Sequence, residues 1–273
     1  MGAPKVRKAT QAGAFYPAQA SDIKKMIAQF LGPELPKEEA IGCLMPHAGY
    51  IYSGKIAVRT ASRVRIKDKV ILIGPNHTGY GREFSLMSEG IWQTPLGEVN
   101  IDSGLSREIL GGCPLLKEDE TAHLYEHSLE VELPILQYFR NDFEIVPLII
   151  GSNNKESLKQ IGIDIAGVIS NNNLKDKVLI IASSDMTHYE AHDKAEYKDK
   201  QAISAILDLD EDRLAEKVSD LEISMCGYAP AMIMLTAAKL LGALKAELIG
   251  YQTSADVSGD FKSVVGYAGI IIK

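Results

Sequence analysis

Histidine and aspartate residues follow three apolar runs of the chain, close to the points where those runs end. His47, His77, and the pair Asp185 and His188 occupy these positions. Apolar β-branched runs are typical of strands buried in a parallel sheet, and such sheets bind ligands beyond the carboxyl ends of their strands. A lone histidine is more simply a surface or hydrogen-bonded structural residue, but three independent placements indicate one shared site. Imidazole and carboxylate groups in such a site can bind a metal ion or transfer protons.

His127 lies in the segment Glu126-His127-Ser128-Leu129-Glu130, at the start of a helix predicted over residues 128–139. Side chains three residues apart share one face of a helix, so His127 and Glu130 are expected to project together. The alternative is an ordinary helix start, because acidic residues favour the first turn of a helix. His127 is therefore a further candidate for the site.

Cys226 precedes a strongly apolar segment, residues 230–241, which is predicted to be a helix. The helix dipole lowers the pKa of a thiol at a helix N-terminus, which favours the thiolate that binds metals. A small buried hydrophobe is the alternative, and it is the stronger one for this residue taken alone. Cys43 lies in a core run and Cys113 in a loop, and neither is given a role.

Two further histidine pairs, His123 with His127 and His188 with His192, are spaced four residues apart and could bind a metal ion on a helix. The common zinc signatures H-E-x-x-H and C-x-x-C do not occur in the sequence. We therefore interpret His123 and His192 as peripheral. A P-loop, a G-x-G-x-x-G after a strand and a G-x-S-x-G elbow also do not occur, which argues against NTPase, dinucleotide-binding and serine-hydrolase functions.

Hydrophobic periodicity predicts an α/β fold, because short apolar runs alternate with amphipathic stretches. The predicted strands cover residues 41–45, 70–73, 143–150 and 178–182, with closing strands at 248–252 and 264–272. The predicted helices cover residues 54–64, 128–139, 155–170, 194–207 and 230–241. Residues 84–101 predict a β-hairpin excursion. We expect a single domain over residues 1–273, with a largely parallel central sheet flanked by helices.

Composition excludes several classes of protein. The 273 residues are 46% hydrophobic and carry a formal net charge of -7, which is typical of a globular protein and argues against nucleic acid as a partner. Three cysteines are too few for a disulfide scaffold, which favours reduced thiols. The sequence has no apolar run of the ~20 residues that cross a bilayer and no signal-peptide core, so we expect a cytoplasmic protein without membrane contact.

A set of motifs, in this order along nearly the whole chain, resembles the Memo family. They are Ala12-Gly13-Ala14-Phe15-Tyr16-Pro17, Pro46-His47-Ala48-Gly49-Tyr50, Gly74-Pro75-Asn76-His77, Thr94-Pro95-Leu96-Gly97, Glu126-His127-Ser128-Leu129-Glu130, Ser183-Ser184-Asp185 with His188, and Met225-Cys226-Gly227. The resemblance implies a fold similar to the class III extradiol dioxygenases, which are non-haem iron enzymes. It also implies a functional link to an AMMECR1-like protein and a radical-SAM protein, which often accompany the family in genomes.

The resemblance also implies roles for particular residues. His47, His77 and Cys226 match the metal-binding positions of the family. Asp185 and His188 match other pocket residues, and His127 matches a histidine with an acid–base role in the dioxygenase relatives. Those relatives bind Fe(II) with two histidines and a carboxylate, whereas this chain offers a thiolate, which argues against inherited catechol cleavage.

Three functions follow from this reading. The first is a redox metalloprotein that binds one ion, with Fe(II) favoured and Cu or Zn as alternatives, and acts on an unidentified small-molecule substrate. In it His127 or His188 transfers protons, and Asp185 orients a histidine or the substrate. The second is a non-catalytic module that binds phosphopeptides in the same pocket. The third is a zinc-dependent hydrolase.

Overall fold

The structure is a computed structural model and describes residues 5–273. Its strands, in chain order, are β1 (Val6–Arg7), β2 (Gly42–Met45), β3 (Lys69–Pro75), β4 (Phe84–Leu86), β5 (Ile91–Thr94), β6 (Gly97–Asn100), β7 (Lys117–Glu118), β8 (Glu144–Ile150), β9 (Val178–Ser183), β10 (His188–Glu190), β11 (Ala246–Thr253) and β12 (Val264–Ile272). Its helices are α1 (Ala20–Phe30), α2 (Tyr50–Arg63), α3 (Ser103–Gly112), α4 (Leu133–Phe139), α5 (Lys155–Asn171), α6 (His192–Leu207), α7 (Glu211–Asp220), α8 (Tyr228–Leu240) and α9 (Ala255–Ser258). Within residues 5–273, every helix is too short or too polar to cross a bilayer.

Parallel strands form the centre of the main sheet. Its strand order over the described residues is β10-β12-β2-β9-β3-β8-β4-β7, with β11 paired to β12. The neighbours β2, β9, β3 and β8 run parallel, whereas β12 is antiparallel to β2 and β4 is antiparallel to β8. The predicted α/β fold with a parallel sheet centre is confirmed, and its flanking strands are antiparallel.

Helices cover both faces of this sheet, and alternate residues of each central strand enter different cores. Ile71 and Ile73 of β3 pack in a core with α3, α5, α6, α7 and α8. Val70 and Leu72 face the opposite side and pack in a core with α1, α2 and α4. Because both faces of the strand are buried, its sequence is a continuous apolar run and does not alternate with polar residues.

The predicted hairpin is present at β5 and β6, which pair antiparallel with register Thr94↔Gly97. Gly97 has φ +131°, a backbone conformation that glycine adopts without a steric cost. β1 pairs parallel to β5 and completes a three-stranded sheet. β4 does not belong to this hairpin, because it pairs with β8 at the edge of the main sheet.

The helix predicted over 128–139 is wrong in its first five residues, because α4 begins at Leu133. Pro134 lies in the first turn of α4, a position where its missing N–H costs nothing. Before it, Glu126 bonds His77 and Glu130 bonds Arg7 and Gln11, all outside any helix, and such bonds compete with helix formation. His127 and Glu130 therefore do not share a helix face.

The two histidine pairs spaced four residues apart also do not lie on single helices. His123 ends a short 3-10 turn, Thr121–His123, and His127 lies beyond that turn. His188 begins β10, whereas His192 begins α6. Neither pair therefore has the helical geometry that would place both rings on one metal ion.

Glu130 is a fully buried carboxylate that ties the N-terminal segment to the chain before α4. Its Oε2 accepts hydrogen bonds from the Arg7 guanidinium at 2.7 Å and from the backbone and hydroxyl of Thr10. Its Oε1 accepts from the backbone N–H of Gln11 at 2.8 Å and from the Tyr16 hydroxyl at 2.7 Å. Five donors thus compensate for the cost of burying this charge.

Arg7 also binds the backbone of the segment from His123 to Glu126, which directly precedes His127. Its Nε donates to the carbonyl of His123 at 2.6 Å, and its Nη2 donates to the carbonyl of Glu126 at 2.7 Å. Its guanidinium also lies 4.1 Å from the centre of the Trp92 ring. Arg7 and Glu130 therefore hold the segment that carries His127 in place.

Replacing Glu130 with Gln should lower the free energy of unfolding at neutral pH by about 3–5 kcal/mol, because Arg7 then keeps a buried charge without its partner. Burial raises the pKa of Glu130, but Arg7, Tyr16 and Gln11 outweigh burial and hold this pKa below its ordinary value. The ionised carboxylate therefore stabilises the fold above the unfolded-state pKa of about 4.3. That contribution is lost as the pH falls through the folded-state pKa.

Urea unfolding at neutral pH and below about pH 4 measures both effects, and the difference between wild type and Glu130→Gln should shrink in acid. Glu216 is exposed, so the control Glu216→Gln should stay within about 0.5 kcal/mol of wild type. Equal stabilities of wild type and Glu130→Gln at neutral pH would contradict the anchoring role.

Candidate metal centre

The structure brings His47, His77, His127, Asp185 and His188 to the wall of one open pocket of about 640 Å³. β2, β9 and β3 are neighbours in the sheet, and their carboxyl ends lead directly into four of these residues. The fifth, His127, comes from the segment that Arg7 and Glu130 hold. The pocket is therefore formed where the ends of three parallel strands meet.

His47 is 1% exposed, and its ring orientation is set by Ser183. Its Nδ1 lies 2.7 Å from the Ser183 hydroxyl, which donates its own proton to the carbonyl of Ser128 at 2.8 Å. Because a hydroxyl has a single proton, Nδ1 of His47 must be the donor in the first of these bonds. Nε2 then carries the free lone pair, and it lies 3.3 Å from Sγ of Cys226.

His77 is oriented in the same manner by Glu126. The backbone N–H of His77 donates to Oε2 of Glu126 at 2.6 Å, and its Nδ1 lies 2.8 Å from Oε1. An ionised carboxylate only accepts hydrogen bonds, so Nδ1 carries the proton and Nε2 is free. Burial raises the pKa of Glu126, but the hydrogen bond and charge of His77 and the N–H of Ser128 hold this pKa at about 2.

Cys226 reaches the histidines because the chain after it packs closely against the end of β9. A Cβ at Gly227 would lie 2.2 Å from the carbonyl oxygen of Ser183, so this position admits no side chain. The Gly227 N–H donates to the Ser184 hydroxyl at 2.9 Å, and the Asp185 N–H donates to Sγ of Cys226 at 3.3 Å. These contacts fix the thiol beside His47.

The pKa of the Cys226 thiol differs from the sequence prediction. Burial raises this pKa, and the nearby charge of Asp185 raises it further. The expected lowering by the helix dipole was therefore wrong, because Cys226 lies two residues before the first residue of α8 and beside a carboxylate. A cation beside the sulfur would reverse this balance, since metal binding displaces the thiol proton.

Two groups of side chains in the described part of the chain are compact enough to hold a metal ion. His47, His77 and Cys226 have ligand atoms within 4.8 Å of one another, and so do His77, Glu126 and His127. In the second group, Oε1 of Glu126 already accepts a hydrogen bond from His77. A carboxylate that orients a histidine is the usual outer partner of a metal ligand, so the first group is the better candidate.

His127 stacks on His77, with ring centroids 4.4 Å apart, and lies 4.6 Å from the ring of Phe15. Burial lowers the pKa of His127 to about 4, and His77 contributes to the same shift. His127 is therefore neutral at physiological pH, where it can accept a proton from a molecule in the pocket.

Asp185 connects the two ends of the site. Its Oδ1 accepts the backbone N–H of His47 at 2.9 Å, and its own N–H contacts the Cys226 sulfur. Burial raises the pKa of Asp185 to about 6, although the N–H groups of His47 and Ala48 oppose this shift. At the rim, Nδ1 of His188 lies 2.9 Å from the carbonyl of Ser224 and must donate to it, which leaves Nε2 free.

The remaining histidines belong to neither compact group. His123 is fully buried, and its ring centroid lies 6.0 Å from that of Trp92. Burial and the charge of Arg7 lower the pKa of His123 to about 3. Nδ1 of His192 lies 3.1 Å from the hydroxyl of Thr253.

The sequence did not reveal the residues that orient the two histidines His47 and His77. Glu126 was interpreted as part of a helix start, and Ser183 carried no role of its own. Both residues stand inside quoted motifs, and only their distances to His77 and His47 reveal what they do. Tyr267, which also lines the pocket, lies in an apolar strand with no motif to mark it.

Residues 7–271 match the family described as Memo-like protein. A MEMO1 family protein of Methanococcoides burtonii is 42% identical over 98% of this chain and 100% of its own length. One of Aquifex aeolicus is 42% identical over 98% of this chain and 99% of its own length. A crystal structure of the uncharacterized protein JW3007 from Escherichia coli K12 has a TM-score of 0.61 at 14% identity, covering 85% of this chain and 99% of that one, and so shares the fold. The chain belongs to the Memo-like protein family.

Proposed function

We propose that this chain is a mononuclear metalloprotein that performs redox chemistry on a small molecule bound in the pocket. His47, His77 and Cys226 would hold the ion, with iron preferred and copper second. One observation carries the proposal: the three ligand atoms lie within 4.8 Å of one another. Ser183 and Glu126 support it, because each holds the Nδ1 of one histidine and leaves Nε2 available.

The donor set favours particular metals. A thiolate with two imidazoles is too soft for Mg²⁺ or Ca²⁺ and suits Fe(II), copper or zinc. Two histidines, one anionic ligand and an adjoining open pocket parallel the ligand pattern of non-haem Fe(II) oxygenases. A bound iron or copper ion would supply one-electron chemistry to a molecule in that pocket.

The other pocket residues would transfer protons and keep the ligands in place. His127 is neutral and accepts a proton from the bound molecule. Nε2 of His188, at the rim of the pocket, is a second atom that can exchange a proton with this molecule. Asp185 binds the backbone of His47 and Ala48 and thereby fixes the position of the first ligand. Phe15 shields one side of the His127 ring.

Two alternative functions use the same pocket. Phosphate recognition usually relies on Arg or Lys, and among the described residues that line the pocket the charged side chains, apart from the histidines, are Asp185 and Asp260. The lining therefore gives a phosphopeptide-binding function no support. A zinc hydrolase would use the same three ligands, so the metal and its response to oxygen and reductants must separate it from the redox function.

Protein purified without added metal should contain close to one equivalent of iron or copper per chain, measured by elemental analysis. His47→Ala and Cys226→Ser each remove one ligand and should lose most of this metal. His192→Ala is the matched control, because His192 lies outside both compact groups and pairs with Thr253. It should retain the metal content of wild type.

Equal metal content in wild type, His47→Ala and Cys226→Ser would overturn the proposed site. Retention of zinc, with an absorption spectrum that does not change on addition of O₂ or dithionite, would support the hydrolase and contradict the redox function.

Glu126→Gln should weaken metal affinity by about 10–100-fold, because an amide holds the Nδ1 proton of His77 less firmly than a carboxylate does. Competition with a chelator of known affinity measures this change. Glu83→Gln is the control, since Glu83 is exposed. An affinity equal to that of wild type would show that Glu126 does not support His77.

A further inference from the structure

Tyr267 presents an unused hydroxyl to the pocket. Its side chain is 2% exposed, yet it belongs to the pocket wall together with Tyr52 and Asp185. Among residues 5–273, no group forms a hydrogen bond with the Tyr267 hydroxyl. Unlike the fully buried polar atoms that lack a partner, this hydroxyl oxygen keeps some accessible surface, and Tyr267 lines the open pocket. A hydroxyl that the protein leaves unpaired at a pocket wall is available to a bound molecule.

Tyr16 and Tyr50 are the other buried tyrosines of the described residues, and each has a partner for its hydroxyl. The hydroxyl of Tyr16 donates to Glu130 at 2.7 Å, and that of Tyr50 donates to the carbonyl of Val131 at 2.8 Å. Tyr251, on the neighbouring strand β11, donates to Asp199 at 2.8 Å. The fold thus satisfies these hydroxyls internally and leaves that of Tyr267 facing the pocket.

The backbone holds Tyr267 in a fixed relation to the site. Gly266 accepts a hydrogen bond from the N–H of Met186 at 2.8 Å and donates to the carbonyl of Thr187 at 2.9 Å. A Cβ at Gly266 would lie 3.2 Å from Cβ of Met186 and 1.9 Å from Oδ2 of Asp199 in α6, so β12 packs closely against both. β12 is therefore fixed to the segment between Asp185 and His188.

The surroundings keep this hydroxyl protonated. Burial raises the pKa of Tyr267, and the charge of Asp185 raises it further. A phenol that retains its proton in a pocket is a hydrogen-bond donor to any acceptor placed there. An oxygen atom of a bound molecule, such as a hydroxyl, phenolate or carbonyl oxygen, is the natural partner.

We propose that Tyr267 is a substrate-binding residue, whose hydroxyl donates a hydrogen bond to an oxygen atom of the molecule bound beside the metal. This inference rests on the proposed metal function, because it assigns a ligand to the same pocket. It implies an oxygen-bearing substrate that also reaches the ion held by His47, His77 and Cys226.

The test uses the full chain loaded anaerobically with Fe(II) and titrated with 4-nitrocatechol, a coloured oxygen-donor ligand. Wild type should bind the probe saturably, and Tyr267→Phe should bind it about five- to tenfold more weakly, as expected for one lost hydrogen bond. Phenylalanine keeps the ring, so iron content and melting temperature should match wild type. The control Tyr138→Phe removes a hydroxyl in α4, outside the pocket, and should leave probe affinity unchanged.

Iron content measured on the same samples separates the two proposals. A wild type that retains neither iron nor copper after anaerobic loading contradicts the proposed function and this inference together. Iron-loaded samples in which wild type and Tyr267→Phe bind the probe equally well contradict the Tyr267 role alone. The same conclusion follows if iron-loaded wild type shows no saturable binding, or if Tyr138→Phe weakens binding as much as Tyr267→Phe does.

Discussion

The bond between Glu126 and His77 is the interaction on which the site depends. An ionised carboxylate with no exposed surface is costly to bury, and here its two oxygens receive the backbone and the ring of one histidine. The backbone carbonyl of Glu126 accepts a hydrogen bond from Arg7, and the charge of Arg7 is balanced by Glu130. A chain of buried, partnered charges thus runs from the N-terminal segment to His77, one of the proposed metal ligands. Such a chain sets the tautomer and the direction of His77 before any ion arrives.

His47 is oriented by a neutral group, the Ser183 hydroxyl, whereas His77 is oriented by the charged Glu126. The surroundings of the two histidines therefore differ chemically. Ser183 directs the Nδ1 proton of His47 through a neutral hydrogen bond, and burial lowers the pKa of this ring well below its ordinary value. Burial and the charge of Asp185 raise the pKa of the Cys226 thiol. The geometry of the three side chains is suited to an ion, and binding would release the proton of the Cys226 thiol. Asp185 contacts the backbone of His47 and the sulfur of Cys226, so it connects these two proposed ligands.

The sequence predicted the parallel sheet centre and the strand ends, because both depend on local runs of apolar residues and on the glycines and prolines that end them. Predictions from the sequence were wrong where residues far apart in the chain determine the local structure. Glu130 is bound by Arg7 and Thr10, each about 120 residues away, and no local pattern reveals that these partners remove it from the helix predicted over 128–139. The pKa of the Cys226 thiol was misjudged for a similar reason, since the neighbouring Asp185 belongs to another element. Tyr267 gave no signal, because an unpaired hydroxyl is recognised only from what surrounds it.

The central claim is that Cys226 and two histidines bind the same ion. X-ray absorption spectroscopy of the iron-loaded chain tests it most directly, because the spectrum distinguishes a sulfur neighbour from nitrogen and oxygen neighbours. The account predicts one sulfur at bonding distance together with nitrogen or oxygen ligands, and loss of the sulfur contribution in Cys226→Ser. A first coordination shell of nitrogen and oxygen alone would contradict it and would indicate that the ion lies between His77, Glu126 and His127 instead.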